Sequence, residues 1–423
     1  MTASSARCLL LLIPSLLTAK LYEVGPNQAM PTPEEVPWES LGPGDTVRIH
    51  WRAEPYRNKW VICRQGTQAQ PITIEGVSGP DGQQPIIDAA NATTRPPLDY
   101  WGAERSLIKI GGASKPADTE PAHILIENLE LRGARKGHSF TDNKGRKQAH
   151  TSHAASIYIE KGHHITVRGC TLHDNGNGLM TSHRSRDILV EACHIHSNGT
   201  PDSIYHHNIY TESLRITFRH NRLCTLTPGA RGNNLKDRSA GLRILHNTIY
   251  GGNKQLDLVD AEGSAKLRQH PDYPNALVDG NFLIELEDDG NNQLVHFGGD
   301  SPNRQWYRSQ LTFRNNHVLT YRKDATILFR LNDGNQHVIC EHNRFLHAGG
   351  PKAGNWEVLT RFGHVEFRRP NHIHGKWIHT SYKFGIHKIS NPRNLVATDQ
   401  IPRPGNLAPD APFHLLPCQH HKH

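Results

Sequence analysis

The sequence predicts an all-β protein, a single-stranded right-handed parallel β-helix with an N-terminal cap helix, on three observations. The 423 residues include 36 glycines and 27 prolines but only 36% hydrophobic residues, a composition typical of a turn-rich all-β chain. Short segments in which apolar and polar residues alternate recur along the chain, as expected for half-buried strands. These segments return with a period of about 25 residues, which suits one coil of a β-helix.

Eight segments can be aligned at one position, and in each of them an apolar residue stands two residues after that position. The segments are HILIENLEL, HITVRGCTL, DILVEACHI, LRITFRHNRL, LRILHNTI, NALVDGNFLI, LTFRNNHVL and HVICEHNRF. The shared position reads Leu129, Cys170, Cys193, Asn221, Asn247, Asn281, Asn316 and Asn343. From the first cysteine onward the steps are 23, 28, 26, 34, 35 and 27 residues. Stacked amides bond to one another and to turn backbone, so we expect an asparagine ladder with the two cysteines as small apolar fillers.

The ends of the chain depart from the repeat. Residues 1–19 contain one arginine and then an apolar run from Cys8 to Leu17, which predicts a secretory signal peptide. Pro33 to Leu41 predicts a short amphipathic helix that covers the open end of the β-helix. We therefore predict a signal peptide at 1–19, the β-helix at 20–348, and an irregular C-terminal region and tail at 349–423. The six cysteines after the signal peptide are too sparse for a disulfide framework.

The charge of the chain predicts an anionic partner. There are 48 Lys and Arg residues against 40 Asp and Glu, a formal net charge of +8, and 30 histidines. A basic surface favours polyanions, and charge alone does not separate nucleic acid from acidic polysaccharide. We predict an acidic polysaccharide and not nucleic acid, and we expect a secreted or periplasmic monomer without a membrane span.

The strand before each ladder segment predicts one reactive face. Six such strands share an inward apolar column of Ile157, Leu179, Ile209, Leu235, Leu256 and Leu294. The next residues then point outward, as Tyr158, Met180, Tyr210, Lys236, Asp257 and Val295. Two residues further along, the outward positions hold Glu160, Ser182, Glu212, Arg238, Val259 and Phe297. By the same count Asp237 and His296 point inward.

Lysine, arginine and tyrosine on one face suit β-elimination from a uronic acid. That reaction removes a weakly acidic proton beside a carboxylate, so it needs a cation to neutralise the carboxylate and a base on the correct face. We predict Arg238 as the carboxylate clamp and Lys236 as the base, its pKa lowered by the neighbouring arginine. Tyr210 or His207 would return a proton to the leaving oxygen. The plainer interpretation of Lys-Asp-Arg is a solvated, mutually paired surface.

Further residues of this face have predicted roles in binding. Glu212, Asn234, Asp257 and Tyr158 are candidate substrate-binding residues. The acidic group of Asp257, Asp260 and Glu262 is a candidate calcium site, because Ca²⁺ binds several carboxylate oxygens. Ion pairing of these acids with Lys236 and Arg238 is the simpler explanation. The same acids allow glycoside hydrolysis, which needs two carboxyl groups about 5 to 9.5 Å apart.

Several blocks resemble a group of secreted bacterial right-handed parallel β-helix proteins usually labelled polysaccharide-degrading enzymes. The blocks are LYEVGPNQAMPTPEEVPWESLGPGDTVRIHWR, ASIYIEKG, GNNLKDRSAG, QLDLVDAEGS and VHFGGDS. The resemblance runs from about Leu21 to Asn335. It implies an exported single-domain β-helix that acts on polysaccharide, similar in architecture to pectate and alginate lyases. It implies no particular catalytic residue.

Three functions are consistent with these features. The leading hypothesis is a lyase on a uronic-acid polysaccharide, or a C5-epimerase that shares its first step. The second is a glycoside hydrolase that uses paired carboxylates. The third is a non-catalytic carbohydrate-binding or structural solenoid, because the fold alone does not determine function. A binding groove would be lined with aromatic residues, whereas the outward positions hold mainly charged residues, which favours catalysis.

Overall fold

The chain is a right-handed parallel β-helix, as predicted. The computed structural model describes residues 19–300, 308–324, 326–332, 334–347, 357–360, 362–374, 377–378, 387–397 and 418. The predicted signal peptide, apart from its last residue, and the HHKH end of the tail lie outside these residues. Within the described ranges, no helix is both long enough and apolar enough to cross a bilayer.

Each coil contributes one strand to each of three parallel sheets. The first sheet consists of Asn58–Ile62, Ser106–Ile110, Ala155–Arg168, Asn177–Glu191, Ile209–Thr211, Leu235–Asp237, Leu256–Leu258, Gln293–Phe297, Thr326–Leu331, Glu357–Thr360 and Trp377–Ile378. The second consists of Leu21–Val24, Thr46–His50, Ile72–Val77, Ala122–Glu127, the same long strands Ala155–Arg168 and Asn177–Glu191, then Leu214–Arg219, Leu242–Leu245, Asn275–Asp279, Gln310–Arg314, His337–Glu341, Gly363–Phe367 and His387–Ser390. The third consists of Ile86–Asp88, Glu130–Arg132, Thr171–His173, His194–His196, Arg222–Leu223, Thr248–Tyr250, Phe282–Glu285, His317–Thr320, Arg344–His347, Asn371–Ile373 and Leu395–Ala397.

A few elements lie outside the three sheets. Short strands at Ala92–Thr94, Ser139–Thr141 and Lys147–Ala149 extend the early coils, and Asp99–Tyr100 pairs with Ala113–Lys115. The helical elements are one α-helical turn, Ala265–Arg268, and 3₁₀ turns at Pro33–Glu35, Trp38–Ser40, Ala103–Arg105 and Pro392–Asn394.

The N-terminal cap differs from the predicted amphipathic helix. Two separate 3₁₀ turns take its place, and Val36 between them is extended, with ψ of 129°. Pro37 explains the break, since proline disfavours the α conformation in the residue before it and lacks an N–H for the helical ladder. The turns still cover the apolar end, because Trp38 is buried and its ring stacks 4.4 Å from that of Trp60.

Neighbouring coils stack in register, so that like residues lie above one another. In the first sheet Leu235 pairs with Ile209 on one side and with Leu256 on the other. All three side chains are fully buried. Because side chains alternate across a strand, this register places the residues after them on the outer face of the sheet. The geometric basis of the predicted reactive face is therefore confirmed.

The predicted asparagine ladder is confirmed. The side-chain oxygen of each asparagine accepts hydrogen bonds from the backbone N–H and the amide of the asparagine one coil earlier, from Asn221 through Asn247, Asn281 and Asn316 to Asn343. The ladder continues one coil further, to Asn371. All of these side chains are fully buried. Cys170 and Cys193 precede them as buried free thiols, which agrees with their predicted filler role.

The coils continue past residue 348, where we placed the end of the β-helix. Gly363–Phe367 pairs with His337–Glu341, and Asn371–Ile373 pairs with Arg344–His347. The stack therefore extends into the region predicted to be irregular. Cys224 forms a disulfide with Cys418, a covalent link that the sequence analysis did not anticipate.

Replacing a ladder residue should cost several hydrogen bonds at once. We expect Asn316→Ala to lower the free energy of unfolding by about 2 to 4 kcal/mol, because it leaves buried donors and acceptors of two adjacent coils without partners. The matched control is Asn315→Gly in the same turn, where the side chain is exposed and φ is +54°. Urea unfolding measures both. Equal losses in the two variants would contradict a structural role for the ladder.

A buried acid at the edge of the third sheet makes stability depend on pH. Burial raises the pKa of Glu285 to about 8, even though Thr320 and Thr326 both donate to one of its oxygens, at 2.7 and 2.8 Å. The other oxygen has Arg322 Nε at 3.9 Å. The folded protein therefore holds a proton here that the unfolded chain releases near the ordinary glutamate pKa.

Stability should fall as pH rises between these two pKa values. Because the folded state binds the extra proton, the free energy of unfolding should decrease by up to about 1.4 kcal/mol per pH unit from near pH 4.5 to near pH 8. Asp289, whose pKa burial raises to about 7, adds to the same trend. Glu285→Gln should flatten the dependence in urea unfolding at pH 5 and pH 8. An unchanged slope in the variant would refute this assignment.

Candidate functional site

The outer face of the first sheet contains a cleft of about 580 Å³. Its lining combines cations, carboxylates, histidines and a few other side chains: His153, Ile204, Tyr205, His207, Tyr210, Asn233, Lys236, Arg238, Asn253, Lys254, Asp257, Glu262, Asn291, His296 and Asp300. Six of the ten predicted site residues are among them. The cleft therefore lies where the sequence placed the reactive face.

Four consecutive coils supply the central column of this cleft. Tyr210, Lys236, Asp257 and His296 occupy the same register position in successive strands. The prediction that His296 points inward is wrong, because Val295 pairs with the buried Leu256 and takes the inward place. The error is a shift of one residue, which moves every side chain of a strand to the opposite face.

Lys236 and Arg238 together hold the carboxylate of Asp300. Lys236 Nζ lies 2.6 Å from Oδ2, and Arg238 donates from Nη1 and Nη2 to the two oxygens at 3.0 and 3.1 Å. This is the two-pronged geometry by which arginine recognises a carboxylate. Arg238 also donates to the backbone oxygen of Asp260 and pairs with Glu262 at 2.8 Å. The pair of cations therefore already binds a carboxylate.

Lys236 is not the neutral amine that the sequence analysis expected. Burial and the neighbouring Arg238 lower its pKa, but Asp257, 3.2 Å from Nζ, and Asp300 outweigh them, so the pKa lies above the ordinary lysine value. The expected lowering by arginine is present and is overcome by two carboxylates. Lys236 consequently stays protonated, as a cation rather than a base.

Asp257 is the carboxylate around which the cleft is organised. Its two oxygens contact His296 Nδ1 at 2.7 Å, Asn233 Nδ2 at 2.7 Å, Lys254 Nζ at 3.3 Å, and Lys236. Burial by itself would raise its pKa, but His296 and the two lysines hold it well below the ordinary value. Asp257 is therefore an anion that fixes the positions of three basic side chains.

His296 links this carboxylate to the next coil. Its Nε2 lies 3.0 Å from Asn332 Oδ1. The Asn332 amide is oriented by Gly299, whose N–H donates to Oδ1 and whose carbonyl accepts from Nδ2. Both ring nitrogens therefore face side-chain oxygens, Asp257 Oδ1 and Asn332 Oδ1. The same contacts fix the backbone immediately before Asp300.

Tyr210 and His207 lie on the side of Lys236 opposite to Asp257. The Tyr210 hydroxyl accepts from Arg238 Nε at 3.3 Å, so its own proton remains available for donation. The two rings are 5.5 Å apart. His207 Nδ1 accepts the backbone N–H of Asn233 at 2.9 Å, which places the ring proton on Nε2. Burial, with Lys236 nearby, lowers the pKa of His207 to about 3, so the ring is neutral.

A buried ion pair supports the strand beneath the cations. Asp237 points inward, as predicted, and accepts from Ser239 and Thr211. Its main partner was missed: Arg308 Nη2 lies 2.9 Å from Oδ1, and both side chains are fully buried. Arg308 also donates to the backbone oxygens of Val259 and Ser239. It thus joins the strand of Lys236 to the following coil.

Three predicted binding residues do not line the cleft. Asn234 is fully buried, and its amide donates to four backbone oxygens while its oxygen accepts from Asn208, in a second asparagine ladder. Tyr158 lies two coils before Tyr210, where it packs against Met180. Glu212 accepts the backbone N–H of Gly263 at 2.9 Å, and burial raises its pKa. The structure gives Asn234 a structural place instead of the predicted binding role.

The three candidate calcium ligands have separate partners. Asp257 faces His296 and lysines, Asp260 accepts from Tyr273 at 3.1 Å, and Glu262 pairs with Arg238. Of the described residues, only a group of three histidines elsewhere brings three candidate ligand atoms together. Ion pairing, the simpler of the two explanations, accounts for Asp257 and Glu262, and calcium binding stays a prediction without structural support.

Neutralising Asp257 should destabilise the whole cleft. We expect Asp257→Asn to lower the free energy of unfolding by about 3 to 5 kcal/mol, because Lys236 and Lys254 lose a buried counter-ion and His296 loses a carboxylate partner. The matched control, Glu262→Gln, removes an exposed partner of Arg238 and should cost less than about 1 kcal/mol. Urea unfolding at neutral pH compares them. A loss as small as that of the control would mean that Asp257 does not organise the site.

Comparison with known proteins adds the following similarities. A family model described as "Right handed beta helix region" matches residues 119–270. No curated protein sequence matches the chain. Among solved structures, an alginate lyase from Paenibacillus sp. str. FPU-7 is 14% identical, with 74% of this chain and 93% of that chain covered and a TM-score of 0.45. Polygalacturonase from Erwinia carotovora ssp. carotovora is 11% identical, with coverages of 95% and 98% and a TM-score of 0.43. A GH136 lacto-N-biosidase from Eubacterium ramulus is 11% identical, with coverages of 88% and 68% and a TM-score of 0.42.

Proposed function

We propose that the protein is a secreted lyase that cleaves a uronic-acid polysaccharide by β-elimination in the cleft. The net charge of +8 suits an acidic polymer, and the cleft opens on the outer face of a continuous sheet along which a chain can lie. Export is part of the proposal on the basis of the sequence of residues 1–19.

The contact between Asp300 and the two cations is the observation on which the proposal rests. Lys236 and Arg238 bind its carboxylate from two directions, at 2.6 to 3.1 Å. A uronate carboxylate needs the same donors, so it competes with Asp300 for them. Binding there would place positive charge beside the carboxylate, which stabilises the carbanion-like intermediate formed when the neighbouring proton is removed.

We assign both proton transfers to Tyr210: its ionised oxygen takes the proton beside the substrate carboxylate, and the hydroxyl so formed returns that proton to the leaving oxygen as the glycosidic bond breaks. Lys236 is held protonated by its carboxylate partners, which opposes the base role predicted for it. The Tyr210 oxygen accepts a hydrogen bond from Arg238 Nε at 3.3 Å, which places it beside the guanidinium that binds the substrate carboxylate. Lys236 and Arg238 then act as the neutralising cations. His207, neutral and with its proton on Nε2, supplies a hydrogen-bond donor to the leaving oxygen.

Glycoside hydrolysis is the weaker alternative because Asp257, Asp300 and Glu212 do not suit the role of general acid. Hydrolysis needs one protonated carboxyl group beside a second carboxylate. Asp257 and Asp300 both have pKa values below the ordinary range, since the surrounding cations outweigh burial. Glu212, whose pKa is raised, does not line the cleft and already accepts from Gly263. None of these three groups meets the requirement for a general acid.

A matched pair of tyrosine variants tests the proposed chemistry. The protein is incubated with alginate, pectate and glycosaminoglycans, and lyase action is followed by the ultraviolet absorbance of the unsaturated uronate it forms. Tyr210→Phe should lower kcat by a factor of about 10² to 10⁴ with the fold retained, because it removes the transferring hydroxyl. Tyr250→Phe removes a hydroxyl of similar burial outside the cleft and should leave the rate unchanged.

The products separate the competing functions. New reducing ends without absorbance indicate a hydrolase, and inverted uronate residues without cleavage indicate an epimerase. Binding of the polymer without any product indicates the non-catalytic alternative. Full activity of Tyr210→Phe would refute the assignment of Tyr210 while leaving the lyase proposal intact.

A further inference from the structure

We propose that His123, His163 and His164 form a binding site for one divalent transition metal ion of the Zn²⁺ class, outside the cleft and independent of the lyase proposal. One ring nitrogen from each histidine lies within 4.8 Å of the other two. Neutral imidazoles are the preferred nitrogen ligands of zinc, nickel and cobalt in proteins. Three histidines leave one coordination position for water.

Two adjacent coils bring the three rings together. The strands Ala122–Glu127 and Ala155–Arg168 pair in parallel, with Ala122 opposite His163 and Ile124 opposite Ile165. His123 therefore lies beside His164 in the next coil, and their rings stack at 4.7 Å. His163, the neighbour of His164 in sequence, adds the third ring from the side. The positions of the ligands are thus set by the sheet rather than by a mobile loop.

Turn geometry explains two of the histidines but not the third. His123 and His164 have φ of 50° and 53°, in the left-handed region that histidine tolerates better than most residues. His220 and His246 occupy a different left-handed turn of the coil, at 57° and 53°, and stack at 5.5 Å, yet they form no group of three ligands among the described residues. His163 is not in this conformation, so the turn does not require a histidine there.

The contacts within the cluster suit a metal ion. His163 Nδ1 lies 2.7 Å from His164 Nδ1, a hydrogen bond that brings two ring nitrogens to one small region, where a metal ion would replace the shared proton. Zinc–nitrogen bonds of about 2.0 to 2.1 Å place tetrahedral ligands roughly 3.3 Å apart. Small rotations of the three side chains reach that spacing.

The charges beside the cluster are balanced. Arg186, which would oppose a cation, is hydrogen-bonded to Glu120 at 2.6 Å. Arg215 is held in the same way by Asp187, at 2.6 and 3.0 Å. Each guanidinium therefore has a carboxylate of its own, and the histidines face no unpaired arginine in this part of the structure.

Zinc titration of matched variants tests the site. The C-terminal histidines would bind metal themselves, so the full-length chain is studied with His420, His421 and His423 replaced by alanine. Isothermal titration with Zn²⁺ should show one site per chain. His164→Asn keeps a residue that tolerates the left-handed turn and should weaken binding at least tenfold. His246→Asn makes the same change at another left-handed turn of the β-helix and should leave the affinity unchanged.

Two further measurements make the outcome decisive. Zn²⁺ should raise the melting temperature of the tail-substituted protein and not that of its His163→Ala form, because only a metal bound to the folded state stabilises it. The absorption bands of Co²⁺ should report a four-coordinate, nitrogen-rich site that disappears in both cluster variants. Unchanged Zn²⁺ affinity in His164→Asn and His163→Ala, or no binding once the tail is substituted, would overturn the proposal.

Discussion

The structure depends on one constraint, that successive coils stack in register through parallel strands and a buried asparagine ladder. The register decides which side chains face the core, as Leu235 and Leu256 do, and which face outward, as Lys236 and Asp257 do. The ladder fixes the turn of each coil, because every amide bonds to the coils before and after it. Residues far apart in sequence therefore reach one wall without any loop having to fold over them.

The sequence predicted the repeating parts of the site and missed the parts that lie between repeats. Lys236, Arg238 and Asp257 follow from apolar alternation. His296 was misplaced because QLVHFG has apolar residues at three of its positions, so alternation does not decide the register. Asp300 and Arg308 lie outside the repeat, and no periodicity points to them. Asn234 did carry a signal, since Asn208 stands at the same place one coil earlier, and the two form part of a ladder. Likewise, Pro37 lies within the segment predicted to be a helix and indicates that the helix breaks there.

Charge balance in the cleft determines what its basic groups can do. In an isolated Lys-Arg pair the two positive charges would repel each other, which would lower the pKa of the lysine and favour its neutral form. Here the buried Asp257 and the more exposed Asp300 supply two carboxylates beside Lys236, and the attraction to them exceeds both repulsion and burial. The consequence is a pair of permanent cations whose shared ligand is a carboxylate. Such a pair suits binding and neutralising a uronate better than abstracting its proton, which leaves proton transfer to the neighbouring Tyr210.

The position of Asp300 shows how four coils act together in the site. Asn332, on the last of them, holds the backbone of Gly299 and contacts His296, which in turn contacts Asp257. Asp257 holds Lys236, and Lys236 meets Asp300 from the opposite side. Two sets of contacts therefore hold the Asp300 carboxylate in place: those of Asn332 to the preceding backbone, and those of the cations to the side chain. A substrate carboxylate that displaced Asp300 from the cations would break only the side-chain contacts, so the cleft would keep its shape while exchanging one carboxylate for another.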